Sequence, residues 1–130
     1  MSAVHNITQL WSNGGTILSK IITVTGPAEI NVDSYVAPAV TNEQVGVAWT
    51  AAQLLSIYMV ASSAVKVTTN STGSPQDTIY LQPNIPLVWT NQSSIAQPFA
   101  GAITQFFLTT GSSVSTCLWQ IRTVTQASSF

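Results

Sequence analysis

In several segments of the chain, apolar and polar positions alternate with a period of two, and Gly, Pro, Asn and Ser punctuate the chain at short intervals. Thr, Val and Ile dominate the alternating segments and helical periodicity is nearly absent, so the pattern predicts an all-β domain. TILSKIITVT, 16 to 25, is the first strong strand; the SNGG turn precedes it and Gly26-Pro27 closes it. In AEINVDSYVA, 28 to 37, Ile30 and Val32 alternate with polar neighbours until Pro38 stops the run. AAQLLSIYMVA, 51 to 61, is apolar on both faces, which fits a central strand or a short buried helix; the β-rich surroundings favour the strand. VKVTTN sets Val65 and Val67 on one face and Lys66 and Thr68 on the other, and DTIYL sets Ile79 and Leu81 opposite Tyr80. After LVWT, with Leu87 and Trp89 on one face, ITQFFLTT (103 to 110) and VSTCLWQIRTVT (114 to 125) complete the series. The total is about eight strands, as expected of a single antiparallel β-sandwich of jelly-roll-like form.

A chain of 130 residues has the length of one domain, and nothing marks an internal boundary. Residues 1 to 12, polar and outside the strand series, are a candidate N-terminal arm. Composition sharpens the picture. Only 5% of residues are charged, against about 25% in typical soluble domains, while 45% are apolar. Hydroxyls and amides must therefore wet the surface. Charge depletion is a mark of interface centres, so the composition points to an assembly subunit.

Lys20, Lys66 and Arg122 do not make a cationic footprint, and nucleic acid is not an expected partner. MSAVHNITQLW lacks the basic start and apolar core of a signal peptide, which predicts cytosolic synthesis. The stretch from 45 to 65 has the length of a membrane span but carries Thr50, Gln53 and three serines, with no flanking basic cluster, so no membrane partner is expected.

Candidate chemistry is sparse. One histidine, one cysteine and four carboxylates are scattered over the chain, GxSxG is absent, and His5 stands in the arm, so no catalytic residue is assigned and no enzyme is expected. Glu29 and Asp33 share a face with Asn31, yet a hard cation usually collects more oxygens; they read as solvated charges on an edge strand, with no metal and no cofactor. Cys117, inside TCLWQI, reads as a small buried hydrophobe. Trp49, Trp89 and Trp119 read as core. Trp11, beside a turn, and Tyr80, opposite Ile79 and Leu81, are the candidates for an exposed interface or ligand platform, and terminal Phe130 is a candidate docking group.

The run VKVTTNSTGSPQDTIYLQPNIPLVWTN, followed by PFAGAITQFFLTTGSS and CLWQIRTV, resembles small virion proteins of tailed bacteriophages, the decoration or cement proteins of the capsid. The likeness spans roughly the C-terminal half and carries no functional residue over. It implies a compact jelly-roll-like sandwich on the capsid surface of the virion, a homo-oligomer and commonly a trimer, binding the major capsid protein. A rival reading from the residues is a carbohydrate- or receptor-binding sandwich with Trp11 and Tyr80 as its platform. A third is a major shell protein, which the lack of a basic genome-facing arm disfavours.

Overall fold

Cys117, Trp119, Ile121 and Thr123 are buried, while Leu118, Gln120 and Arg122 between them are only half-buried. That alternation marks a strand with one face in a core and the other partly wet. In the computed structural model, which describes residues 3–12, 15, 17–46, 49–111 and 116–126, this strand is the last of twelve.

The chain forms β1 (Ala3–Ser12), β2 (Ile17–Gly26), β3 (Ala28–Val36), β4 (Glu43–Val45) and β5 (Trp49–Thr50), then a 3-10 turn at Ala51–Gln53. It continues through β6 (Leu54–Ala61), β7 (Val65–Thr69), β8 (Thr78–Leu81), β9 (Leu87–Thr90), β10 (Ala102–Ile103), β11 (Phe106–Thr110) and β12 (Cys117–Thr125). Eight strands make two four-stranded antiparallel sheets, in the orders β3-β12-β6-β9 and β4-β11-β7-β8. With the eight counted in chain order, the two sheets read 1-8-3-6 and 2-7-4-5. Those are the two interleaved sheets of a strict jelly roll, in which every connection except that between the fourth and fifth strands crosses between sheets. The all-β sandwich expected from the sequence is thus present. The count is twelve rather than about eight because the chain adds a β1-β2 hairpin and a two-residue β5-β10 ladder.

The inner faces meet in one core that draws Val36, Ile57, Met59 and Trp119 from the first sheet and Val67, Leu81, Phe106 and Leu108 from the second. An aromatic chain runs through it. Trp49 meets Phe99 edge-on at 5.0 Å between ring centres, and Phe106 lies 5.5 Å from Trp119. Cys117 is fully buried, as its apolar setting predicts. The dense AAQLLSIYMVA run divides by length: one 3-10 turn, then the central strand β6.

The turn-rich NSTGSPQ segment has an anchoring role. Asn70 takes a left-handed backbone (φ 67°), a conformation that asparagine tolerates better than most residues. Its Oδ1 accepts from the Thr104 backbone N–H at 2.8 Å, and its Nδ2 donates to the Ala102 carbonyl. Asp77 Oδ1 accepts from the Ala100 N–H. The β7-β8 loop thereby fixes the long 91–105 connection, and the Thr104 contact falls where the run ITQFFLTT divides into β10 and β11.

One expectation needs correction. The segment 16 to 25 is a strand, but it joins neither sheet of the sandwich. Among the described residues it pairs, as β2, with β1 alone, from Ala3↔Gly26 to Ser12↔Ile17, and the arm takes the form of a β1-β2 hairpin.

Candidate functional site

Strand partners in the hairpin share a face, so His5, Ile7, Ile22 and Val24 look one way and Val4, Asn6, Thr8 and Ile21 the other. The first set lies against the outer face of the β3-β12-β6-β9 sheet, where Val24 is buried and His5 half-buried. Ser56 projects outward from β6 yet is fully buried, because this part of the hairpin covers it. His5 Nδ1 and Ser56 Oγ share a hydrogen bond of 2.9 Å.

Gly26 fixes how closely β2 can approach. A Cβ at this position would stand 2.6 Å from Val124 Cγ1 and 2.8 Å from the Thr125 carbonyl oxygen, so only glycine fits. Further out, both faces of the hairpin are exposed from Thr8 to Leu10 and from Leu18 to Ile21. Leu10, Leu18 and Ile21 are 66%, 62% and 69% accessible. Between this outer half and the segment 92–95 runs a groove of about 370 Å³, flanked by Ile21, Ile22, Val88 and the exposed Ile95.

At the arm's root, β1 and the outer face of the sheet form an open cleft of about 360 Å³. His5 lines one wall; Glu29 and Asn31 from β3, Arg122 from β12 and Tyr58 from β6 line the other. The period-two run Glu29, Asn31, Asp33 on β3 puts these three polar groups on one outward face. Arg122 Nη1 pairs with Asp33 Oδ1 at 2.8 Å and also donates to the Ile121 carbonyl at 2.9 Å. The hydrogen bond from Arg122, reinforced by one from Gln120, holds the Asp33 carboxyl below its ordinary value. Burial lowers the pKa of His5; the Glu29 charge pulls it up and the Arg122 charge pushes it further down.

A histidine bonded to a serine suggests a nucleophile pair, but Ser56 Oγ lies under the hairpin, where no substrate reaches it. Among the described residues, no group of three or more His, Cys, Asp or Glu could hold a metal, and no helix is long and apolar enough to cross a membrane.

Of the platform candidates, the described residues place the side chain of Tyr80 alone. Tyr80 is 69% accessible on the outer face of the β4-β11-β7-β8 sheet, beside Lys66. The hairpin that carries Trp11 packs on the other sheet. For Trp11 the described structure covers the backbone in β1 alone, and Phe130 lies outside the described residues. Sequence reasoning missed His5, Tyr58 and Arg122 as a group. The one available signal was Arg122 itself, the chain's only arginine; its place beside the outward polar run of β3 follows from the register of the sheet.

No protein family, characterised protein or solved structure matches the chain.

Proposed function

We propose that the chain is a structural virion protein that decorates or cements a tailed-phage capsid, binding major capsid subunits as a homo-oligomer, a trimer. The observation that carries this reading is the hairpin arm: two ten-residue strands, roughly 33 Å long, whose outer half presents Leu10, Leu18 and Ile21 to solvent. An exposed apolar extension of this kind on a charge-poor protein is suited to contact with other chains. Eight-stranded double-sheet jelly rolls are an architecture of viral capsid proteins and lectins, which agrees with the resemblance drawn from the C-terminal half. The arm carries one lysine, Lys20, too little charge to neutralise packaged nucleic acid and so unfavourable to a genome-facing shell protein.

A stable contact of roughly 1,200–2,000 Å² needs more surface than one hairpin side, so the arm and the groove beside it would act together. The test is antibody labelling of intact particles of the virus that encodes the chain. Labelling over the whole shell, with cross-links from Lys20 to the major capsid protein, is the expected result; labelling confined to tails, or none, would refute it.

A carbohydrate- or receptor-binding module is the second reading. Tyr80 is exposed on the outer face of the β4-β11-β7-β8 sheet, away from the sheet that the hairpin covers. The support for this reading is the cleft at the root of the arm, where Glu29, Asn31, Arg122 and His5 gather.

A further inference from the structure

We propose that the cleft at the root of the arm binds a neutral saccharide, with a sugar ring against Tyr58 and its hydroxyls held by Glu29, Asn31, Arg122 and His5. This deepens the carbohydrate-binding reading and is independent of attachment to a capsid.

The lining has the composition that a polyol requires. A sugar hydroxyl both donates and accepts, and beside the apolar Val4 and Ile7 the cleft offers a carboxylate that accepts, a guanidinium that donates, an amide that does both, and Nε2 of His5, the imidazole nitrogen that Ser56 leaves free. Tyr58, 38% exposed at the cleft, adds an aromatic ring with an apolar face and a polar tip. At about 360 Å³ the space falls at the small end of the roughly 300–1,000 Å³ typical of small-ligand sites.

The charges decide between a neutral ligand and an anion. Arg122 is already matched by Asp33 at 2.8 Å, and Glu29 adds a carboxylate without a cation of its own among the described residues. With His5 neutral, the site is net negative, so a phosphate, sulfate or sialic acid meets repulsion while an uncharged hydroxyl does not.

The polar groups are also held in advance. Arg122 Nη1 is fixed by Asp33 and by the carbonyls of Ile121 and Val32, which leaves its Nη2 and Nε without a partner among the described residues. Asn31 Nδ2 donates to Glu29 Oε1. Side chains immobilised before binding lose little entropy when the ligand arrives.

One wall belongs to the arm and the other to the sandwich, so the cleft exists only while the hairpin is docked. A bound sugar must therefore stabilise the docked arm, by mass action.

The experiment is a glycan array of neutral, sialylated and sulfated oligosaccharides probed with the full chain clustered on a multivalent carrier, so that weak single sites register. Tyr58→Ala, Asn31→Ala and Tyr80→Ala are run beside it, each checked for native melting. Expected is binding to neutral glycans that falls about tenfold or more in Tyr58→Ala and Asn31→Ala, a loss of about 1.4 kcal/mol or more, and persists in Tyr80→Ala. The best neutral glycan should also slow hydrogen exchange in β1. Binding to acidic glycans alone, equal binding by Tyr58→Ala and the parent, or no binding by natively folded chain would overturn the proposal. None of these results bears on labelling of the capsid.

Discussion

The His5 imidazole and the Ser56 hydroxyl, 51 positions apart in the chain, meet at 2.9 Å and join the N-terminal hairpin to the central strand of the sandwich. The bond is half-buried, and the charges of Glu29 and Arg122, which line the same cleft, act on the His5 ring. Burial favours the neutral ring, so the folded protein holds His5 below its ordinary pKa of 6.5.

Stability should therefore depend on pH in a definite sense. A base with a depressed folded pKa binds more protons when unfolded, so its contribution is complete above about 6.5 and is lost as pH falls through the lowered folded value. The melting temperature should drop between about pH 7 and pH 5, and His5→Gln should flatten that drop. Asp33 acts in a separate window: its folded pKa is depressed, so its contribution is present above 3.8 and lost only below it. Thermal melts at intervals across both windows check this, and a flat profile for the parent from pH 7 to 5 would contradict it.

Gly26→Ala should lift the hairpin from the sheet. The added methyl meets Val124 at 2.6 Å, the Thr125 carbonyl oxygen at 2.8 Å and Leu55 at 2.9 Å, and a backbone oxygen cannot move aside cheaply. Overpacking of this kind costs about 1–3 kcal/mol. Amide exchange should accelerate in β1 and β2 while β7 and β11, in the other sheet, stay protected.

Thr68→Val should stabilise the fold. The Thr68 hydroxyl is buried on the outer face of its sheet and has no hydrogen-bond partner among the described residues, so removing it ends a desolvation cost of about 1–3 kcal/mol. Urea titration should show a higher midpoint for the variant with an unchanged slope.

The strands whose signal is local were legible from the sequence. Val65, Val67, Ile79 and Leu81 are inward and Lys66 and Tyr80 outward, as alternation requires. Trp49, Trp89 and Trp119 are core residues. What sequence reasoning missed depends on distant partners. Alternation in 16 to 25 reveals a strand but not that its one partner is β1, since pairing is set by register and packing elsewhere. His5 looked like a free group in a tail because nothing nearby announces Ser56. The break at Thr104 comes from Asn70, 34 positions away. The cleft was illegible for the same reason: its residues come from β3, β6 and β12, which the jelly-roll order brings side by side, and from β1, which the docked hairpin lays over them.

Assembly should be nearly indifferent to salt. Arg122 with Asp33 is the one ion pair among the described residues, and Lys20 is the one charged side chain of β1 and β2, so salt has little to screen. Sedimentation at low salt and at about 1 M NaCl should give the same species; dissociation at high salt would show that charge, not apolar area, holds the subunits together.

The native mass of the purified chain at micromolar concentration is the most direct test of self-assembly through the arm. One chain is 13.8 kDa, and a trimer is the expected result, falling to monomer in the folded double variant Leu10→Ser with Leu18→Ser. A parent chain that stays monomeric across the concentration range, or a trimer unaffected by the double variant, would contradict it.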